Sequence, residues 1–201
     1  MADLTASPVR QVLPAAAAAV SAVVQALPSD PSHEVWSAPT PCEGWTLRDL
    51  LNHLTAEHLW APRLLAGETI ADVGEDYDGD VLGGDPPAAW EDAITRSLLA
   101  WAEVDDETVE IEMSFGPTSR LEYAQQMLVD LVVHGWDLAV SARLPYDPAP
   151  EAVAEVLAYE RPRLAEGEGM PGVFGAAVPT TSTDPLDEAV ALTGRDPGWT
   201  P

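Results

Sequence analysis

Lysine is missing from this sequence: all nine basic residues are Arg, set against 34 Asp and Glu, for a formal net charge of −25. That shortage of cations argues against nucleic acid or an anionic membrane as partner, because both reward Lys and Arg. Cysteine occurs once, at Cys42, which excludes an internal disulfide framework and fits a reducing cytoplasm. Long apolar runs are also lacking. No stretch reaches the ~18 residues of a membrane span, and the early run Val12 to Leu27 has no basic cluster before it, so the expectation is a cytosolic protein. There is no glycine-rich phosphate loop, no Gly-x-Ser-x-Gly elbow and no Cys-x-x-Cys pair. Ala and Pro are plentiful, and beside the exclusive use of Arg this reads as the codon bias of a GC-rich genome. A length of 201 residues suits one domain with one core and a trailing extension.

The element pattern is helical. Pro8 to Leu27 is Ala-rich and flanked by prolines, which predicts a first helix. Pro28 to Gly44 is dense in Pro, Ser and Asp and reads as a loop pinned by Trp36. Thr46 with Asp49 resembles a capping box opening a second helix to about Ala66, whose apolar face carries Leu47, Leu50, Leu51, Leu54, Ala61 and Leu65. His53 and Glu57 lie one turn apart at the margin of that face, and His58 is expected on its solvated side. Gly67 to Pro87 is a long acidic loop; its Asp76, Asp78 and Asp80 suggest calcium, but Val81 and Pro87 stand where an EF-hand needs Gly and Glu. A solvated loop or a lid fits better. A third helix is predicted over Pro86 to Glu103, a half-exposed strand over Thr108 to Phe115 ended by Gly116 and Pro117, a fourth helix from Ser119 to Arg143, and a fifth over Pro150 to Glu166. The division expected is a helical bundle over residues 1–166 and an extension over 167–201, with a short helical piece near Leu186 to Leu192.

The stretch that carries chemistry is Met127 to Val140, MLVDLVVHGWDLAV, in which Asp130, His134 and Asp137 are the only ionisable residues. At ~100° per residue their side chains fall within roughly 60° of one another. A helix this apolar should be buried, and a buried carboxylate or imidazole is costly unless it is hydrogen-bonded, charge-paired or bound to a metal. No Arg lies between Arg120 and Arg143, so the counter-charge must come from another segment or from an ion. His53 is the natural third ligand. The bland alternative is a polar seam satisfied by a neighbouring helix, with no ion. Asp137 can fix the His134 tautomer as an outer partner or cap a buried Arg such as Arg48. Glu57 is a candidate general base if it points inward. Cys42 precedes the second helix and can be a nucleophile, although a small packing residue is the commoner fate.

The run Gly44-Trp45-Thr46 followed by His53, with Asp130-x-x-x-His134-x-x-Asp137-Leu138, resembles the metal-binding N-terminal domain of mycothiol-dependent maleylpyruvate isomerase and the wider DinB-like superfamily. The layout PTPCEGWTLRDLLNHL, HGWDLA and GRDPGW looks more specifically like an actinobacterial branch of metal-binding proteins in that group. The resemblance covers most of the chain. It implies an all-α, DinB-like four-helix bundle with long crossover loops and assigns His53, Asp130 and His134 as ligands of a divalent metal, with Zn(II) first and Ni(II) as an alternative. Asp130 stands where the isomerase has Glu, which brings the ion nearer its helix. The isomerase's C-terminal domain has no counterpart here, so its substrate chemistry does not transfer. Two His and one carboxylate leave a coordination position open, where a mycothiol-like low-molecular-weight thiol or water can be activated for transfer, isomerisation or hydrolysis, with Glu57 and Asp137 as candidate catalytic residues. A non-catalytic module that binds or senses a small ligand is the alternative. An exposed apolar helix face would suit a homodimer.

Overall fold

The structure, a computed structural model, describes residues 6–170 and 172–201. Four long helices make the bundle: α1 (Pro8–Gln25), α2 (Leu47–Leu65), α4 (Pro86–Ala102) and α5 (Arg120–Ala142), with the short α3 (Ile70–Val73) in the second crossover. The helix α1 packs on α5 and α2 on α4, while α2–α5 and α1–α4 contacts close the ring. Helices α6 (Pro150–Arg163) and α7 (Pro185–Leu192) follow, α6 lying on α5 and α1, and α7 on α6. The expected all-α class holds.

Local chemistry sets the helix ends. Ser7 accepts the Arg10 amide and Pro8 occupies the first position of α1, where a missing N–H costs nothing. Thr46 and Asp49 form the full reciprocal capping box at α2. The first crossover contains a single 3₁₀ turn (Glu34–Ser37) and is anchored by buried Trp36, whose indole N–H donates to the Asp30 carbonyl. In α1, Val9, Leu13, Ala16, Ala17, Val20, Val23 and Val24 form the buried stripe. In α5, every residue from Met127 to Ala139 except Asp130 is buried.

Three expectations need correction. The acidic loop is not wholly irregular: α3 lies within it, with its own capping box between Thr69 and Asp72. The loop is tied to α2, because Arg48 pairs with Asp80, Arg63 with Asp76, and Asn52 bridges the Gly79 carbonyl and the Val81 amide. Gly116 and Pro117 do not end the strand region. They open a second strand, β2 (Gly116–Ser119), antiparallel to β1 (Glu110–Met113) with Met113 opposite Gly116; an alternating segment needs a partner for its backbone, and Pro is tolerated in an edge strand.

His58 is the third correction. It is not solvated but 2 % exposed, with Nδ1 2.9 Å from Ser97 Oγ and its ring edge-on to Trp90 at 5.4 Å. The reason is periodicity: His58 lies one turn beyond Leu54 and one before Ala61, inside the stripe that α2 turns toward α4. Burial pushes its imidazole down from the ordinary value to about 3. The folded protein therefore keeps His58 neutral while the unfolded chain protonates it below about pH 6.5, so acidification through the interval between those values costs stability. Replacing it with the neutral side chain in His58→Gln should reduce the loss of unfolding free energy between pH 7.5 and 4.5 by about 2 kcal/mol relative to the parent, read from urea titrations at both pH values; parallel slopes in parent and variant would contradict this account.

Gly135 in α5 meets another constraint. A Cβ there would lie 2.7 Å from Tyr146 Cζ, and the Tyr146 hydroxyl donates to the Leu131 carbonyl at 2.9 Å. Gly135→Ala should thus destabilise the fold by roughly 1–3 kcal/mol, against the small gain that Ala ordinarily brings to a helix interior, as measured by thermal or urea unfolding.

Candidate metal centre

Two helices and one loop build the site. On α5, Asp130 and His134 lie one turn apart and share a face; on α2, His53 faces them across the bundle. His53 Nε2 is 3.8 Å from Asp130 Oδ2, and His134 Nε2 is 3.9 Å from Asp130 Oδ1. Both separations are too long for hydrogen bonds. One donor atom from each of the three residues lies within 4.8 Å of the other two, so three acceptor-capable atoms converge without bonding one another. The side chains of His53 and Asp130 are 30 % and 27 % exposed against 10 % for His134, which makes the site a mouth that opens to solvent on the His53 side. Trp45 stands at that mouth, its ring centroid 5.1 Å from that of His53 and 6.3 Å from His134 in a near-parallel stack.

The local field favours a cation. Burial works against the Asp130 carboxylate, but His53, His134 and His58 outweigh it and hold the group below its usual value. Burial likewise opposes charge on His53, yet Asp130 and Glu57 raise it. Glu57 is half-buried, and its carboxyl is raised by burial and then by the nearby negative Asp130. Deeper in, the Tyr123 hydroxyl is buried with no hydrogen-bond partner among the described residues and is pushed up by burial, then by Glu57 and Asp130. Tyr123 lies two turns before Asp130 on the same face of α5, so periodicity alone points to it.

Asp137 turns away from the mouth. Its side chain is completely buried, and its Oδ2 accepts from His134 Nδ1 at 2.9 Å, Arg195 Nη2 at 3.1 Å and the Cys42 thiol at 3.4 Å. Burial raises its pKa, while His134 and Arg195 together bring it below the ordinary value. The carboxylate is thus ionised and accepts the hydrogen bond of an Nδ1–H on His134, the tautomer that turns the Nε2 lone pair toward His53 and Asp130. Asp137 makes both contacts open to it in the sequence, to an imidazole and to a buried arginine, but the cation is Arg195 and not Arg48, which serves the acidic loop. Sequence reasoning missed Arg195; the available signal was a buried Asp137 with no Arg between Arg120 and Arg143 to meet it.

A second donor group, Cys42 with His134 and Asp137, also falls within 4.8 Å. Here the positive charge is already supplied, because Arg195 Nη2 lies 3.4 Å from Cys42 Sγ as well as beside Asp137. Cys42 is a half-buried packing residue that donates to Asp137. Burial and the Asp137 charge push its thiol up to about 12, which makes it a poor nucleophile.

The model of the mycothiol maleylpyruvate isomerase N-terminal domain family matches residues 13–139, well over half of the chain and all three converging residues. The chain belongs to this family. Among curated proteins it is 27% identical over 168 residues to two uncharacterized proteins of Mycobacterium tuberculosis from different strains, covering 78% of this chain and 83% of each relative. No solved structure matches. The family places the domain in a mycothiol-related context, and the donor groups just described are ones that can hold an ion. Among the described residues no helix is long and apolar enough to cross a membrane.

The Cys42 environment gives a direct check on the inner wall of this family member. With the thiol pushed up to about 12, its reaction with iodoacetamide at pH 8 should be at least about a hundredfold slower in the folded protein than in urea, since the thiolate is the attacking form. A rate near that of the unfolded chain would contradict the burial and charge pattern around Asp137.

Proposed function

We propose that His53, Asp130 and His134 bind one divalent metal ion, Zn(II) first and Ni(II) as the alternative, and that the chain is a metal-dependent enzyme acting with a mycothiol-like thiol or with water in a transfer or isomerisation reaction. The observation that supports this most is the convergence of two imidazole nitrogens and a carboxylate oxygen at separations too long for hydrogen bonds and short enough for shared coordination. The donor set fits the ion: two neutral imidazoles and one carboxylate are the three-ligand pattern that leaves a position for a reactant.

A divalent ion so held supplies Lewis acidity, which lowers the pKa of a thiol or water brought to it. The chain's own residues do the rest. Asp130 contributes the single formal negative charge of the ligand set. Asp137 holds His134 in the tautomer that presents Nε2 to the site. Glu57, with its carboxyl raised by burial and by Asp130, keeps a proton to higher pH than an ordinary glutamate, which suits it to proton transfer beside the mouth. Trp45 offers an aromatic wall to the apolar part of a reactant and shields one side of the mouth from water.

Metal content decides the reading. Protein purified without chelator and analysed by elemental mass spectrometry should carry about one equivalent of metal, or take it up from Zn(II) or Ni(II), and His53→Ala and His134→Ala should each lose it. A parent that stays empty after incubation with both ions would sink the proposal. Given a loaded protein, turnover of small electrophiles that depends on added thiol, and falls at least about tenfold in Glu57→Gln, would support catalysis; metal without turnover would leave a ligand-binding module.

A further inference from the structure

We infer that Arg195, carried by the segment after α7 and lying outside the residues the family model matches, is a positioning residue for the metal centre: its guanidinium fixes Asp137, and through it the orientation and tautomer of His134. This rests on the reading of His134 as a ligand. The geometry is a chain of contacts running inward to outward. Arg195 Nη1 donates to the Thr193 carbonyl at 2.7 Å, which locks the guanidinium to its own turn. Its Nε and Nη2 then reach Asp137 Oδ2 at 3.3 and 3.1 Å, and Nε also lies 3.4 Å from Oδ1. Asp137 Oδ2 in turn accepts from His134 Nδ1 at 2.9 Å.

Charge and burial explain why the link has to be an arginine. Asp137 has no exposed side-chain surface, and Arg195 is itself 8 % exposed. A buried carboxylate whose partner is removed is strongly destabilised, so without the guanidinium Asp137 rotates or draws in water, and His134 loses its fixed acceptor. The planar fork matters because it engages Asp137, the Thr193 carbonyl and Cys42 Sγ together; an ammonium cannot span that arrangement with one geometry. The backbone is set for it. Thr193 is buried and its hydroxyl returns to the Ala189 and Val190 carbonyls. Gly194 has φ +88° and lies 2.9 Å from Gly175 where a Cβ would project, so the turn presenting Arg195 is built on a residue with no side chain. Phe174 covers the guanidinium from the other side, 5.8 Å from its ring centroid.

The test compares the parent with Arg195→Met, which keeps the apolar stem and removes the charge, and with Arg195→Lys. In the metal-free, ¹⁵N-labelled full chain, long-range proton–nitrogen correlation reads the tautomers of its four histidines. His134 of the parent should carry its proton on Nδ1. Arg195→Met should populate the other tautomer and lower Zn(II) affinity, measured against a chromophoric chelator, by roughly ten- to hundredfold, with Arg195→Lys between the two. A parent His134 protonated on Nε2, or an Arg195→Met protein with unchanged tautomer and unchanged affinity, overturns the inference. Should the parent bind no Zn(II), the metal reading fails, and the tautomer comparison still decides whether Arg195 positions His134. Should Arg195→Met fail to fold, Arg195→Lys and the parent spectrum carry the same decision.

Discussion

A helix buried on every side has no outward face on which to discard a polar group, and the rest of this molecule answers to that constraint. Helix α5 is packed by α1 and α2 within the ring and by α6 outside it. Each charged residue in its buried middle must be satisfied by a neighbour on the helix or by something brought in from elsewhere in the chain. Asp137 is met by an arginine nearly sixty residues later, His134 by Asp137, and Asp130 by a gap in the packing that lets solvent and His53 approach. The site exists where the core is incompletely closed, and its polarity is graded from a fixed, charge-balanced inner wall to an unbalanced mouth.

Much of this was legible in the residues themselves. The four- and three-residue spacing of Asp130, His134 and Asp137 in a dry run places them on one face without any structure, and the capping box at Thr46 and the flanking prolines mark helix ends to within a residue or two. His53 follows from the same logic on α2. What sequence could not supply was pairing between distant segments. Nothing in the run GRDPGW states that its arginine enters the core; only the demand of Asp137 for a cation implied that some arginine must. His58 was misplaced for a related reason: one imidazole in an amphipathic helix can lie on either edge of the apolar stripe, and Trp90 and Ser97 on α4 decided the matter. The second strand escaped notice because Gly and Pro ordinarily punctuate strands, whereas here a two-residue turn returns the chain against itself and the proline falls on an edge.

The two histidines of α2 show how little sequence distance separates unlike chemistries. His53 is near a carboxylate, partly wetted and raised; His58, little more than one turn along, is dry and lowered to about 3. Helical geometry sends the first toward α5 and the second toward α4, and the neighbours met there set the proton affinity. Only the first is open to solvent, where a molecule from outside can reach it.

The clipped acidic loop carries a different consequence, one of ionic strength. With a formal charge of −25, the chain repels itself over distances up to the Debye length, about 8 Å at physiological salt, so added salt relieves a strain spread over the whole molecule. The exposed Arg48–Asp80 and Arg63–Asp76 contacts that tether the loop to α2 respond in the opposite sense, because screening weakens attraction as readily as repulsion. Global cohesion and local tethering are therefore tuned against each other by the same electrolyte: a concentrated medium tightens the bundle while loosening the loop on its flank.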